Sequence, residues 1–108
     1  MLNRLNKLIE EYHSITEQMS DPKVISNIKL YSNLAKEHRR LDPIIPKAQQ
    51  YIQKFNQLKE DEEILQGNDK ELKELVKDEI IFLREEIQLL EKKLKVFLLP
   101  KDPNDDKN

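Results

Sequence analysis

Between Leu72 and Phe97 the apolar residues fall at Val76, Ile80, Leu83, Ile87, Leu90, Leu94 and Phe97, an unbroken alternation of four- and three-residue steps. Each pair of steps spans seven residues and keeps one narrow line on a single side of an α-helix, the spacing of a coiled-coil seam. Leu72, Leu75, Leu89 and Leu98 are expected to widen that line, while Lys, Glu and Arg fill the opposite side. At about 1.5 Å per residue the helix is a rod of roughly 39 Å. Such a rod cannot cover its own apolar line. The rest of the chain has to supply partner helices.

Composition agrees with long helices sharing a thin seam. The 108 residues suit one domain, or one piece of a larger protein. Charged residues make up 37%, glycine occurs once and tryptophan is absent, which suits few loops and no thick globular core. The formal charge of -2 comes from 19 basic and 21 acidic residues mixed along the chain. With no basic block, no direct grip on nucleic acid is expected. Without cysteine there are no disulfides, thiolate metal sites or cysteine nucleophiles, as suits a reducing cytosol. The apolar runs are far short of a membrane span, and no signal peptide is visible. The polar faces carry as much Glu as Lys, which disfavours a membrane-surface helix.

From the N-terminus, Leu2, Leu5, Leu8, Ile9, Tyr12, Ile15 and Met19 recur at helical spacing, predicting a first helix over residues 2–19. Ser20-Asp21-Pro22 stops it, because proline cannot continue the backbone ladder. Residues 20–27 are expected to be a loop, with Ser26 or Asn27 capping the next helix. That second helix starts near Ile28 and runs to about Gln66 with a bend or short break at 42–46, where Pro43 and Pro46 fall. Gly67-Asn68-Asp69 is the strong turn of the second half. Gly67 suits the left-handed position past a helix C-terminus, and Asn68 or Asp69 can cap the third helix with Glu71 in its first turn. Pro100 ends that helix, and 100–108 is expected to be an extended linker. The expected fold is all-α: an elongated antiparallel bundle of three long helices with coiled-coil-like seams, the second helix bent or broken near Pro43 and Pro46.

Catalytic patterns are missing. Ser14, Ser20, Ser26 and Ser32 have no glycine elbow beside them. His13 and His38 sit in different helices without spaced ligands, and ordinary structural or solvent-facing roles are expected for both. Glu10-Glu11, the run Glu60 to Glu63, and Glu85-Glu86 read as solvated helix faces. Asp102, Asn104 and Asp106 match the first positions of a calcium loop, but the obligatory glycine is Lys107 and the chain ends before the twelfth position. No cofactor, metal or catalytic residue is expected.

Three stretches together carry a resemblance. They are Ser20-Asp21-Pro22-Lys23-Val24-Ile25-Ser26; Tyr31, then Leu34-Ala35-Lys36-Glu37-His38 with Leu41-Asp42-Pro43-Ile44; and the run from Leu98-Leu99-Pro100-Lys101-Asp102-Pro103 to Asn104-Asp105-Asp106-Lys107-Asn108. In this order, across essentially the whole chain, they resemble the N-terminal domain of the release-factor-one family, the bacterial class I peptide chain release factors that read UAA and UAG. The closing run is the most specific part, since helix periodicity would not generate it. The factors that read UGA have a differently spaced N-terminal region. Pro46 departs from the family pattern, where a helix-compatible residue is usual, which bears on the continuity of the second helix.

The resemblance implies translation termination, in the cytoplasm, as an accessory domain. In the family a Gly-Gly-Gln loop promotes peptidyl-tRNA hydrolysis and a short tripeptide reads the stop codon. Neither is present here, so residues 1–99 are expected to be the helical domain and 100–108 a linker to absent downstream domains. The implied partners are the ribosome at its large-subunit stalk base and, in the full-length protein, the GTPase release factor. If the third helix runs back towards the missing domains, the turn is the far tip, and Glu63, Gly67, Asn68, Asp69 and Glu71 become the candidate ribosome-contact residues. The isolated domain is expected to be a monomer, with pairing in a crystal possible through apolar surface that absent domains would cover. A second reading from a different class is a free-standing structural coiled-coil homodimer joined through the Leu72 to Phe97 line. As Met1 begins directly on the first helix, a bacterial cytoplasm is expected rather than an organelle.

Overall fold

The computed structural model describes residues 1–99. They form five helices: α1 Leu2–Gln18, α2 Pro22–Ile25, α3 Ile28–Leu41, α4 Ile45–Gln66 and α5 Lys70–Leu98. No strand occurs among the described residues, and no helix there is long and apolar enough to cross a membrane. The expected linker over 100–108 and the rejected calcium pattern lie outside the described residues. The chain divides into two compact units, Met1–Asn56 and Gln57–Asn108.

In the first unit α1 and α2 both pack against α3. After α1, tight i to i−3 bonds from Ser20 N to Glu17 O (3.0 Å) and from Asp21 N to Gln18 O (3.1 Å) take up carbonyls that the helix end leaves open. Asp21 is extended (φ −78°, ψ 124°), as a residue before proline prefers, and its carboxylate accepts from Lys23 N at 3.0 Å. With Pro22 preset at the first helical position, residues expected to be loop close into a short helix instead. Asn27 is the cap of α3, its side chain accepting from Leu30 N at 3.2 Å.

The break in the long second helix lies at 42–44. Asp42 N still bonds His38 O at 2.9 Å, although Asp42 keeps helical angles (φ −50°, ψ −48°) that a residue before proline usually avoids. Pro43 then has no N–H to offer, and Ile44 N closes a tighter bond to Leu41 O at 3.0 Å. Pro46 falls in the first turn of α4, where its missing N–H costs nothing. Three expected helices thus become five. Leu5, Ile15, Leu41, Ile44, Ile45, Ala48 and Tyr51 are the buried apolar residues of this unit.

In the second unit a three-residue turn connects α4 to α5. The seam behaves as its spacing requires: Val76, Ile80, Leu83, Ile87 and Leu94 are buried, and Leu90 and Phe97 partly so. A homodimer built on that line would find it already covered within one chain. The expected widening does not occur at Leu72, Leu75 and Leu89, which stay exposed. These three lie off the seam line, and none of the described residues covers them.

Candidate functional site

The five residues expected at the tip come together in one turn. Glu63, Asn68, Asp69 and Glu71 are exposed and Gly67 is half-buried. Gly67 N bonds Ile64 O at 3.0 Å, ending α4 in a tight turn. The left-handed conformation expected for Gly67 is not adopted, since no glycine has a positive φ. Its small size is used differently: a Cβ there would sit 3.3 Å from Ile64 O. Asp69 is extended (φ −82°, ψ 105°), and its carboxylate accepts from Glu71 N (3.1 Å) and Leu72 N (3.2 Å). Glu71 adds a negative charge in the first turn, where the helix dipole favours it. Asp69 thus caps the start of α5, with Glu63 and Asn68 presented to solvent beside it.

Next to the turn lies a pair that the sequence does not reveal. Asp61, from the run taken as a solvated face, is 2% exposed. Its Oδ1 accepts from Gln57 Nε2 at 3.0 Å, while the buried Oδ2 has no hydrogen-bond partner among the described residues. The exposed Glu79 of α5 reaches this carboxylate. Hydrogen bonding to Asp61, then desolvation, then the like charge hold the Glu79 carboxyl above its ordinary value. A buried carboxylate costs far less when so paired. Eighteen positions separate the two residues in the chain, so only the helical return could reveal them.

A second group joins α1 to the end of α3. The Tyr12 hydroxyl donates to Asp42 Oδ1 at 2.5 Å, and its ring stacks on His38 with centroids 4.5 Å apart. His13 meets the same ring edge-on at 6.2 Å. The hydrogen bond to Asp42, followed by desolvation and the aspartate charge, raises the Tyr12 phenol above its usual value. Nearby, Arg40 grips Glu37 through Nε and Nη2 and lowers the Glu37 carboxyl. These contacts are exposed and brace two helices. They place no nucleophile against a base.

The serines follow the same pattern. Ser20 Oγ donates to Thr16 O (3.3 Å) and Ser26 Oγ to Lys23 O (2.9 Å), while Ser14 Oγ accepts from Gln18 Nε2 (3.1 Å). Two shallow surface depressions, of about 380 Å³ by Gln88, Glu91, Lys92 and Lys95 and about 360 Å³ by Met1, Leu2, Asn3, Tyr51 and Phe55, adjoin none of the groups described above. Among the described residues no three His, Cys, Asp or Glu side chains are placed to hold a metal.

Known proteins give the chain a context. The PCRF domain family matches residues 8–108. The chain is 43% identical over 109 residues to peptide chain release factor 1 of Clostridioides difficile, covering 100% of this chain and 31% of that protein. The same protein from Alkaliphilus metalliredigens is 43% identical over 110 residues with the same coverage. That of Campylobacter hominis is 36% identical over 108 residues, 100% of this chain and 30% of its own length. The chain thus spans just under a third of these relatives. No solved structure matches it at a significant level. A match over nearly every residue, on a chain whose described residues form helices and turns, leaves one assignment: the chain belongs to the PCRF domain family, as the N-terminal part of a peptide chain release factor of the first type.

Proposed function

We propose that this chain is the accessory domain by which a cytoplasmic translation termination factor docks at the stalk base of the large ribosomal subunit. The observation that carries the reading is the match, over the whole of this chain and 31% of the relative, to peptide chain release factor 1. With a single glycine the chain holds no Gly-Gly-Gln loop. Peptidyl-tRNA hydrolysis and codon reading then belong to other parts of the full-length protein, and this domain contributes position. Contact with the GTPase release factor is a second service of the same domain.

The reading carries an architecture with it. α3 and α4 act as one bent helix, so that α1, α3 with α4, and α5 make an elongated antiparallel bundle of three long helices. Residues 1–99 are the domain and 100–108 the link onward. The turn at Glu63, Gly67, Asn68, Asp69 and Glu71 is the ribosome-facing tip, favoured by its exposure and by the Asp69 cap at the start of α5.

The test uses the full-length factor. Glu63→Arg with Asn68→Arg reverses and adds charge at the tip without touching the cap. Ribosome-dependent peptide release should then need several-fold more factor for half-maximal rate, with the maximal rate kept. Unchanged release kinetics would remove the tip from the contact. In parallel, the 108-residue chain is incubated with purified ribosomes. Saturable co-sedimentation supports self-contained docking, and its absence assigns the affinity to the other domains.

A further inference from the structure

α5 carries a second apolar line that the fold leaves open. Leu75, Phe82, Leu89 and Val96 recur at intervals of seven, and they are 71%, 59%, 60% and 73% exposed. On a heptad wheel they share one position, roughly a third of a turn from the buried seam. The line extends over roughly 32 Å of helix. Single exposed apolar residues need no explanation, but a register of four large ones on one helix marks a contact surface.

The charges beside the line identify what fits it. On one flank the residues are Asp78, Glu85 and Lys92, at the same seven-residue interval. The flank is thus acidic towards the N-terminus and basic towards the C-terminus. A lipid surface fits poorly, because two of the three are carboxylates. A parallel copy would set Asp78 against Asp78 and Lys92 against Lys92. An antiparallel copy pairs Leu75 with Val96 and Phe82 with Leu89, each twice, and sets Asp78 of each chain beside Lys92 of the other. Residue i meets j and j meets i, the rule of a two-fold interface.

We propose that the exposed face of α5 is a self-association surface on which a second copy of this chain docks antiparallel, centred on Glu85. Glu85 then faces its own copy, which weakens the pairing. The apolar line is short, so the dimer is weak and forms with rising concentration. Its flanking ion pairs make it weaker in salt.

Sedimentation velocity of the 108-residue chain over a wide concentration series tests this, with far-UV circular dichroism confirming that each variant is helical. The expected result is a reversible monomer–dimer equilibrium. Asp78→Lys alone and Lys92→Asp alone should each weaken it about tenfold, and the double exchange should restore it. Glu85→Gln should tighten it. Phe82→Glu, at an exposed position, should abolish it while leaving helicity intact. A monomer up to about millimolar protein would overturn the proposal, as would a dimer indifferent to both charge exchanges. A monomer whose α5 face becomes protected from solvent in the full-length factor would also overturn it, and would give that face to the factor's other domains.

Discussion

Asp69 starts α5 with the device that Asn27 uses at α3: an extended residue whose side chain answers backbone N–H groups left open at a helix start. Each cap is one of two candidates the sequence offers, Ser26 or Asn27 and Asn68 or Asp69, because Asx and Ser residues beside a turn favour capping. The conformation of Gly67 was not legible, since two kinds of tight turn accept glycine, and here φ stays negative. Asp69→Ala should lower stability by about 1 kcal/mol in urea unfolding, and Asp69→Asn by a small fraction of that. The pair of variants separates capping from any surface role. Tyr12 gives a residue-scale prediction in pH. Its phenol is raised above the ordinary 10.0 by the bond to Asp42. The stabilisation is therefore complete below the unfolded value and lost as pH climbs through the higher folded one. Absorbance titration of the phenols should show a late component that Tyr12→Phe deletes. Asp42→Asn should bring that component down. A titration unchanged by Tyr12→Phe would mean the bond does not form in solution.

At the scale of the element, the seam was the most legible part of the molecule. The 4-3 spacing named the buried line of α5 residue by residue, because a rod has one side to hide. The spacing does not tell how wide the covering partner is, which is why Leu72, Leu75 and Leu89 were placed inside and are outside. The proline break was also legible, while the helical turn at Pro22–Ile25 was hidden by the same residues that stop α1. Asp61 was opaque for another reason. Within a run of acids its sequence context is that of a solvated face, and its burial is decided by what packs on it. The Asp61–Glu79 pair then predicts the pH behaviour of the helical turn of the second unit. Glu79 binds its proton more tightly in the fold than at its ordinary 4.5. The contribution is fully present below that value and is lost as pH rises through the folded one. Glu79→Gln keeps a donor towards Asp61 at every pH. It should raise the melting temperature at neutral pH, with the gain disappearing towards pH 4. An equal gain at both pH values would show that charge between the two carboxyls is not its source.

At the scale of the whole molecule, sequence and structure contribute different things. The run ending in Asn108 carried much of the family resemblance, yet most of it lies outside the described residues 1–99. The family was therefore legible from a segment that lies mostly outside the described residues, while the structure supplies the exposed turn and its Asp69 cap. The candidate tip could be named because the chain has a single glycine and this turn surrounds it. The proposed docking role has a distinctive consequence. Added in excess to a release reaction, the 108-residue chain should support no hydrolysis of its own, since it has no Gly-Gly-Gln loop. If it docks where the full-length factor docks, it should compete and slow release as its concentration rises. The inhibition should be overcome by more full-length factor, leaving the maximal rate unchanged. Carrying Glu63→Arg with Asn68→Arg, the chain should lose most of that inhibition, whereas Asp69→Asn should keep it. Inhibition that survives the tip variant would place the docking surface elsewhere on the domain. No inhibition at saturating chain would remove self-contained docking by this domain from the proposed function.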